Sequence, residues 1–168
     1  GRPAKGHAAA RHGGFGGMSD RELYKPVPDK GKHMCFGCSP ENPVGLHMAF
    51  CTDEKSLYSW LKVPAHLCGW KHVVHGGIIS TILDEIMARS IIYLLGQYAV
   101  TKSITVDFLK PILTERELKA EGAIIEKMNH NEILMKGLLY NNKGELCAKS
   151  TGVFSLLTSK TIRSFGAG

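Results

Sequence analysis

Residues 72–85 read HVVHGGIISTILDE, with two glycines at the mouth of an apolar run and two carboxylates inside it. Charge within an apolar run is costly unless it is paired or used. Glycines at a helix start let the backbone approach a ligand, and the free N–H groups of the first turn point outward with partial positive charge. Such an end can bind a phosphate or polarise a carbonyl oxygen. Gly76 and Gly77 are thus the electrophilic half of a candidate site, set against the plainer reading of a tight loop-to-helix junction. Asp84 is the candidate acid; its structural alternative is a loop cap or a pair with Arg89. Glu85, about 100° further round the helix, is expected to pair with Arg89 at i+4. His75 could serve as a base, but a histidine before a glycine turn more often packs against the loop and hydrogen-bonds it.

The spacing sets a geometric condition on that chemistry. Asp84 lies eight residues beyond Gly76, roughly 12 Å along a helix, so within one chain the acid cannot reach the amide. Asp84 shares a stripe of small or polar residues with Gly77, Ser80, Thr81 and Ala88. If two such helices run antiparallel across a dimer interface, Asp84 of one subunit approaches the Gly76 end of the other, and twofold symmetry yields two shared sites.

The elements that must position these residues follow from hydrophobic period. From Gly76 to Leu95 the apolar positions recur at three and four, which predicts a helix that Gly96 stops. Alternation over 46–51 and 57–63, joined by a turn near 52–55, predicts a hairpin. Further strands are expected over 104–108, 116–127 (bending at Gly122), 132–140 and 145–157, the last two flanking the turn Asn141-Asn142-Lys143-Gly144. The expected order is ββαββββ, with residues 28–45 a Pro/Gly/Asn-rich loop.

The chain has 168 residues, enough for one domain with a sizeable core. Residues 18–160 are expected to form that domain, residues 1–17 a disordered leader or expression tag, and residues 161–168 a tail. Of the 21 basic residues, Arg2, Lys5, Arg11, Lys160 and Arg163 lie near the ends, leaving 16 against 15 acids and a nearly neutral body. Nucleic acid is therefore not expected as a partner. The most apolar run contains Asp84, Glu85 and Arg89, so no membrane span is expected. Five cysteines form an odd set without a disulfide framework, which favours the reducing cytoplasm. Cys35-Phe36-Gly37-Cys38 could be half a zinc site, with His33 and His47 nearby, but no second Cys-x-x-Cys exists. Structural thiols, and no metal, are the expectation.

Three segments together carry a family resemblance: CFGCSPENPVGLHMAF (35–50), CGWKHVVHGGIISTILDE (68–85) and TKSITVDFLKPI (101–112). The chain resembles the PaaI-like acyl-CoA thioesterases of the hot-dog fold, and within them a bacterial branch marked by Cys-x-x-Cys-x-x-x-Asn-Pro-x-Gly-Leu. The likeness spans about residues 33–157. It implies an α+β fold with an antiparallel sheet wrapped around one long helix, a homodimer or homotetramer, and hydrolysis of acyl-CoA thioesters, coenzyme A being part of the substrate and no further cofactor required. Asp84 matches the family's catalytic acid, donated by the opposite subunit as general base or nucleophile, and Gly76 matches its oxyanion-binding amide. His75, Gly77, Gly69, Trp70 and His72 are the expected substrate-binding residues. Gly69 and His72 depart from the pattern, since many relatives have Asn and Gly there. Lys71, Lys102 and Lys110 are candidates for coenzyme A phosphates, and Ile78, Ile82, Trp70 and Phe108 for an apolar tunnel, set against plain core. The alternative function is a non-catalytic acyl-CoA binding or regulatory protein on the same fold.

Overall fold

The computed structural model describes Arg21, residues 23–29 and residues 31–164. The leader expected over 1–17 and the last four residues of the expected tail lie outside the described residues. Residues 161–164 of that tail belong to a six-residue helix, Ser159–Ser164.

Strands β1 (Lys25–Val27), β2 (Phe50–Thr52) and β3 (Leu57–Lys62) come first, then a two-strand ribbon of β4 (Cys68–Trp70) and β5 (Val73–Val74). The central helix α1 (Gly76–Leu95) follows, then β6 (Ala99–Phe108), β7 (Glu117–Lys127), β8 (Glu132–Tyr140) and β9 (Leu146–Leu156). The main sheet is antiparallel and seven-stranded, in the order β1-β2-β3-β7-β8-β9-β6. It wraps α1, which packs chiefly against β7 and also meets β6, β8, β9 and β3. This is the hot-dog arrangement that the family resemblance implied.

The helix runs over the residues its periodicity predicts. Ile82, Leu83, Ile86, Met87 and Ile91 are wholly buried against Leu118, Ile133, Met135, Leu139 and Phe154. Each such side chain contributes about 1.5–3 kcal/mol of transfer free energy. At its end Gly96 takes the left-handed conformation (φ 65°), and its N–H closes onto the Ile92 carbonyl. Gly122 in β7 does more than bend the strand. A Cβ there would stand 2.6 Å from the Ile86 carbonyl oxygen, so only glycine lets the sheet lie this close to the helix backbone.

Three expectations are corrected. The alternation at Leu46 and Met48 is loop, and β2 starts only at Phe50. The Leu46 and Met48 N–H groups bond to the Phe36 and Gly37 carbonyls (2.8 and 3.0 Å), and His47 between them has φ 51°, so these residues close the cysteine loop rather than extend a strand. The other two corrections are additions: β1, and the β4–β5 ribbon, were not read from the sequence. Among the described residues no helix is long and apolar enough to cross a membrane.

Candidate active site

Local bonding fixes the start of α1. The Val74 N–H bonds to the Ile112 carbonyl (2.8 Å), His75 N–H to Leu67 (3.0 Å) and Thr114 N–H to His72 (2.8 Å). This lacing tethers the β4–β5 ribbon to the chain after β6. His75 then caps the helix: its backbone is extended (φ −60°, ψ 135°) and its ring Nδ1 accepts the Gly77 N–H at 2.9 Å. An accepting Nδ1 is unprotonated, so this nitrogen is occupied as a cap rather than available as a base.

That bond separates the two glycines. Gly77's amide is taken, whereas among the described residues no acceptor meets the Gly76 N–H. Gly76 borders a cleft of about 330 Å³ that Val74, Ile79, Phe108, Lys110 and Ile112 also line. The Phe108 ring lies over it, 3.6 Å from where a Gly76 Cβ would be, and is 56% exposed. The cleft therefore joins one free, positively polarised donor to an apolar wall.

The other expected substrate residues surround this end. Trp70 is 70% exposed, with the Lys71 ammonium 5.0 Å from its ring. His72 is exposed, and its carbonyl anchors Thr114. Gly69 backs onto His75: a Cβ there would lie 3.2 Å from the His75 Cα, which gives this departure from the family pattern a packing reason. Lys110 reaches Glu145 at 2.7 Å, and that hydrogen bond, with the carboxylate's charge, raises its pKa. Lys102 pairs with Glu132 across β6 and β8, away from the cleft. Ile82 is core and not tunnel.

Asp84 stands two turns along α1. Its Oδ1 accepts the Thr101 hydroxyl at 2.6 Å. Thr101 belongs to β6, the outermost strand of the sheet, and the β6–β9 register slips between Thr101 and Ser103. Bulges of this kind re-aim side chains. In the stripe below, the Ser80 and Thr81 hydroxyls fold back onto the Gly76 and Gly77 carbonyls (3.0 and 2.9 Å).

The expected Glu85–Arg89 pair is replaced. Arg89 reaches Asp29 (3.5 Å) and covers the Phe50 ring (5.3 Å), while Glu85 turns under the cysteine loop. There the Cys35 thiol donates to Glu85 Oε2 at 3.5 Å, and the ligand atoms of Cys35, Cys38 and Glu85 lie within 4.8 Å of one another. Burial, reinforced by the Glu85 carboxylate, pushes the Cys38 thiol well above the usual range. His33 and His47 stay out of the cluster, engaged with Asp29 (3.0 Å) and the Asn42 carbonyl (2.6 Å). Sequence reasoning missed Glu85 as the third member, because 47 positions separate it from Cys38 and no spacing rule joins them.

Comparison with known proteins fits this architecture. Residues 71–148 match the family model of the Thioesterase superfamily. An uncharacterised protein of Schizosaccharomyces pombe is 31% identical over 93 residues, covering 52% of this chain and 53% of that one. The chain thus spans about half the length of the curated relative it matches. Among solved structures, a hypothetical thioesterase of Streptococcus pneumoniae with coenzyme A is 21% identical over 62% of this chain and 80% of that one, at TM-score 0.58. The PaaI protein of the E. coli phenylacetic acid degradation operon is 18% identical over 67% of this chain and 81% of that one, at TM-score 0.61. A Streptococcus mutans protein bound to acetyl CoA is 20% identical over 72% of this chain and 97% of that one, at TM-score 0.63. At these identities the solved structures establish a shared hot-dog fold. The resemblance read from the sequence is borne out in the fold, and residues 71–148 match the superfamily's model.

Proposed function

We propose, for a chain whose residues 71–148 fall in the thioesterase superfamily, that it hydrolyses acyl-CoA thioesters at a site completed by a second copy of itself. The observation that carries this reading is the free Gly76 N–H on the apolar cleft beside Phe108, with its neighbour's amide already taken by His75. In the reaction water adds its oxygen to the thioester carbonyl carbon, the C–S bond breaks, and the free acid and the coenzyme A thiol leave. The Gly76 amide donates to the carbonyl oxygen as it gains charge. Asp84 of the partner subunit takes a proton from the attacking water or attacks the carbon itself.

Two features support sharing. Asp84 and Gly76 stand eight residues apart on one helix, roughly 12 Å, so one chain cannot bring them to a common carbon. The acid also faces an open sheet edge, β6, where Val100 and Phe108 are exposed and a second copy would cover them. Trp70, His72 and the Lys71 and Lys110 cations would flank the bound nucleotide. The five free thiols fit a cytoplasmic location.

Complementation between two variants tests the reading. Gly76→Pro deletes the N–H at the first helical position, where proline suits the helix and the extended His75 before it. Asp84→Asn deletes the acid. Each alone should lose at least about a hundredfold in thiol release from a panel of short, medium, long and aromatic acyl-CoA esters. Mixed dimers keep one intact site in the hybrid, so activity should return to about a quarter of wild type. Failure of mixing to restore turnover would refute the shared site, and tight acyl-CoA binding with no thiol release by the wild type would favour the binding module.

A further inference from the structure

Outside the candidate active site, the cysteine loop and the third turn of α1 build a cluster whose composition suits a cation. Cys35 and Cys38 occupy one turn, in which the Ser39 N–H bonds to the Cys35 carbonyl (3.0 Å). Glu85 arrives from the helix, and the three ligand atoms lie within 4.8 Å of one another. A tetrahedral zinc ion with Zn–S near 2.3 Å holds two sulfurs about 3.8 Å apart, so the cluster needs only a small contraction.

Gly37 gives a second, independent observation. A Cβ on Gly37 would stand 2.6 Å from the Glu85 carboxyl carbon and Oε2, so the glycine between the cysteines keeps open the space through which the carboxylate meets them. The charges point the same way. Without a cation, a half-buried carboxylate faces two weak thiol donors, and the nearby Arg89 is already shared with Asp29. With a divalent cation both thiols release protons to solvent, the three anionic ligands leave the site one negative charge in excess, and Arg89 balances it.

We propose that Cys35, Cys38 and Glu85 form a zinc site that clamps the 33–48 loop to the central helix. Two thiolates with one carboxylate select a thiolate-seeking divalent ion over magnesium or calcium. Among the described residues no fourth ligand joins them, and water takes that position. Glu85 leaves α1 about 100° round from Asp84 and meets the cysteine loop, so the role of the site is to hold the loop. It stands independently of the thioesterase reading.

The full chain, purified under reducing conditions without chelator, provides the test. About one zinc per chain is expected by elemental analysis, and the metal-free protein loaded with cobalt(II) should show a thiolate-to-cobalt charge-transfer band. Zinc affinity measured against a chromophoric chelator should fall by more than a hundredfold in Cys38→Ser, beyond what loss of an outer partner costs, and by a smaller factor in Glu85→Gln. Chelation should lower the melting temperature of the wild type but not of Cys38→Ser. Wild-type protein with five free thiols, no zinc and no cobalt band would overturn the proposal, as would a Cys35–Cys38 disulfide that forms in place of metal loading. If Cys38→Ser does not fold, the wild-type zinc content and cobalt spectrum decide alone.

Discussion

Asp84 and Glu85 are neighbours in sequence, yet the molecule uses them in opposite directions. Asp84 looks out to the open sheet edge, where among the described residues its donor is the Thr101 hydroxyl at 2.6 Å. Glu85, about 100° round the helix, looks in under the cysteine loop, where it meets Cys35 at 3.5 Å within reach of Cys38. One acid has a face left free for a reacting group, and the other is enclosed by its own chain. A carboxylate in a mostly apolar helix is explained by what stands opposite it: an open edge suits chemistry, and a closed loop suits anchorage.

The same isosteric change at each acid should separate the two most widely. Asp84→Asn should lower kcat by about 10²–10⁴, the usual worth of a positioned acid or base, with the dimer intact by sedimentation. Glu85→Gln should leave kcat within about threefold, since nothing in its surroundings reaches the Gly76 cleft, and should instead loosen the cysteine loop. Equal losses from the two variants would erase the division between a working face and a holding face.

A smaller effect is expected from the glycine on the holding side. Gly37→Ala puts a methyl group where the Glu85 carboxyl now lies, 2.6 Å away, so the carboxylate must swing off the thiols. Because the clashing atoms are the far end of a flexible side chain, the cost should be about 1 kcal/mol or less, that of a lost hydrogen bond, read as a lower denaturant midpoint with an unchanged slope. Turnover per folded molecule should stay near wild type. A fall in kcat without a fall in stability would tie the loop to the chemistry after all.

How far the sequence spoke also divides between the two faces. The central helix was legible because its apolar residues keep the three-and-four period from Ile78 to Leu95 and Gly96 can adopt the left-handed stop. Strands β8 and β9 were legible from the turn at residues 141–144 that they flank, and β7 as a segment that can bend at Gly122. β1 was not: three residues including Pro26 show no period, and only pairing with β2 makes them a strand. Leu46 and Met48 misled because alternation is blind to carbonyl partners in a preceding loop. At the candidate site, the glycine pair and Asp84 were singled out by type and spacing, and their proposed roles came from the family resemblance. The division of labour between Gly76 and Gly77 depends on a ring nitrogen's orientation, and Glu85's partners are brought to it by folding alone.

The smallest expected effect concerns how Asp84 is held. Thr101→Val keeps the shape and the strand preference of the side chain but deletes its hydroxyl, so the 2.6 Å bond to Oδ1 disappears. Because the carboxylate is half-exposed, water can take over that bond, and stability should change by no more than about 1 kcal/mol. What water cannot do is fix the rotamer, so the acid should spend less time in its reactive orientation. An about three- to tenfold loss of kcat with unchanged KM is expected, well short of deleting the acid, and Thr101→Ser should recover most of it. On the Glu85 side the equivalent donor deletion, Cys35→Ala, should leave kcat where it was. An unaltered kcat in Thr101→Val would mean that the acid takes its orientation from the partner subunit, whereas a loss as deep as that of Asp84→Asn would mean that the hydroxyl itself touches the reacting groups.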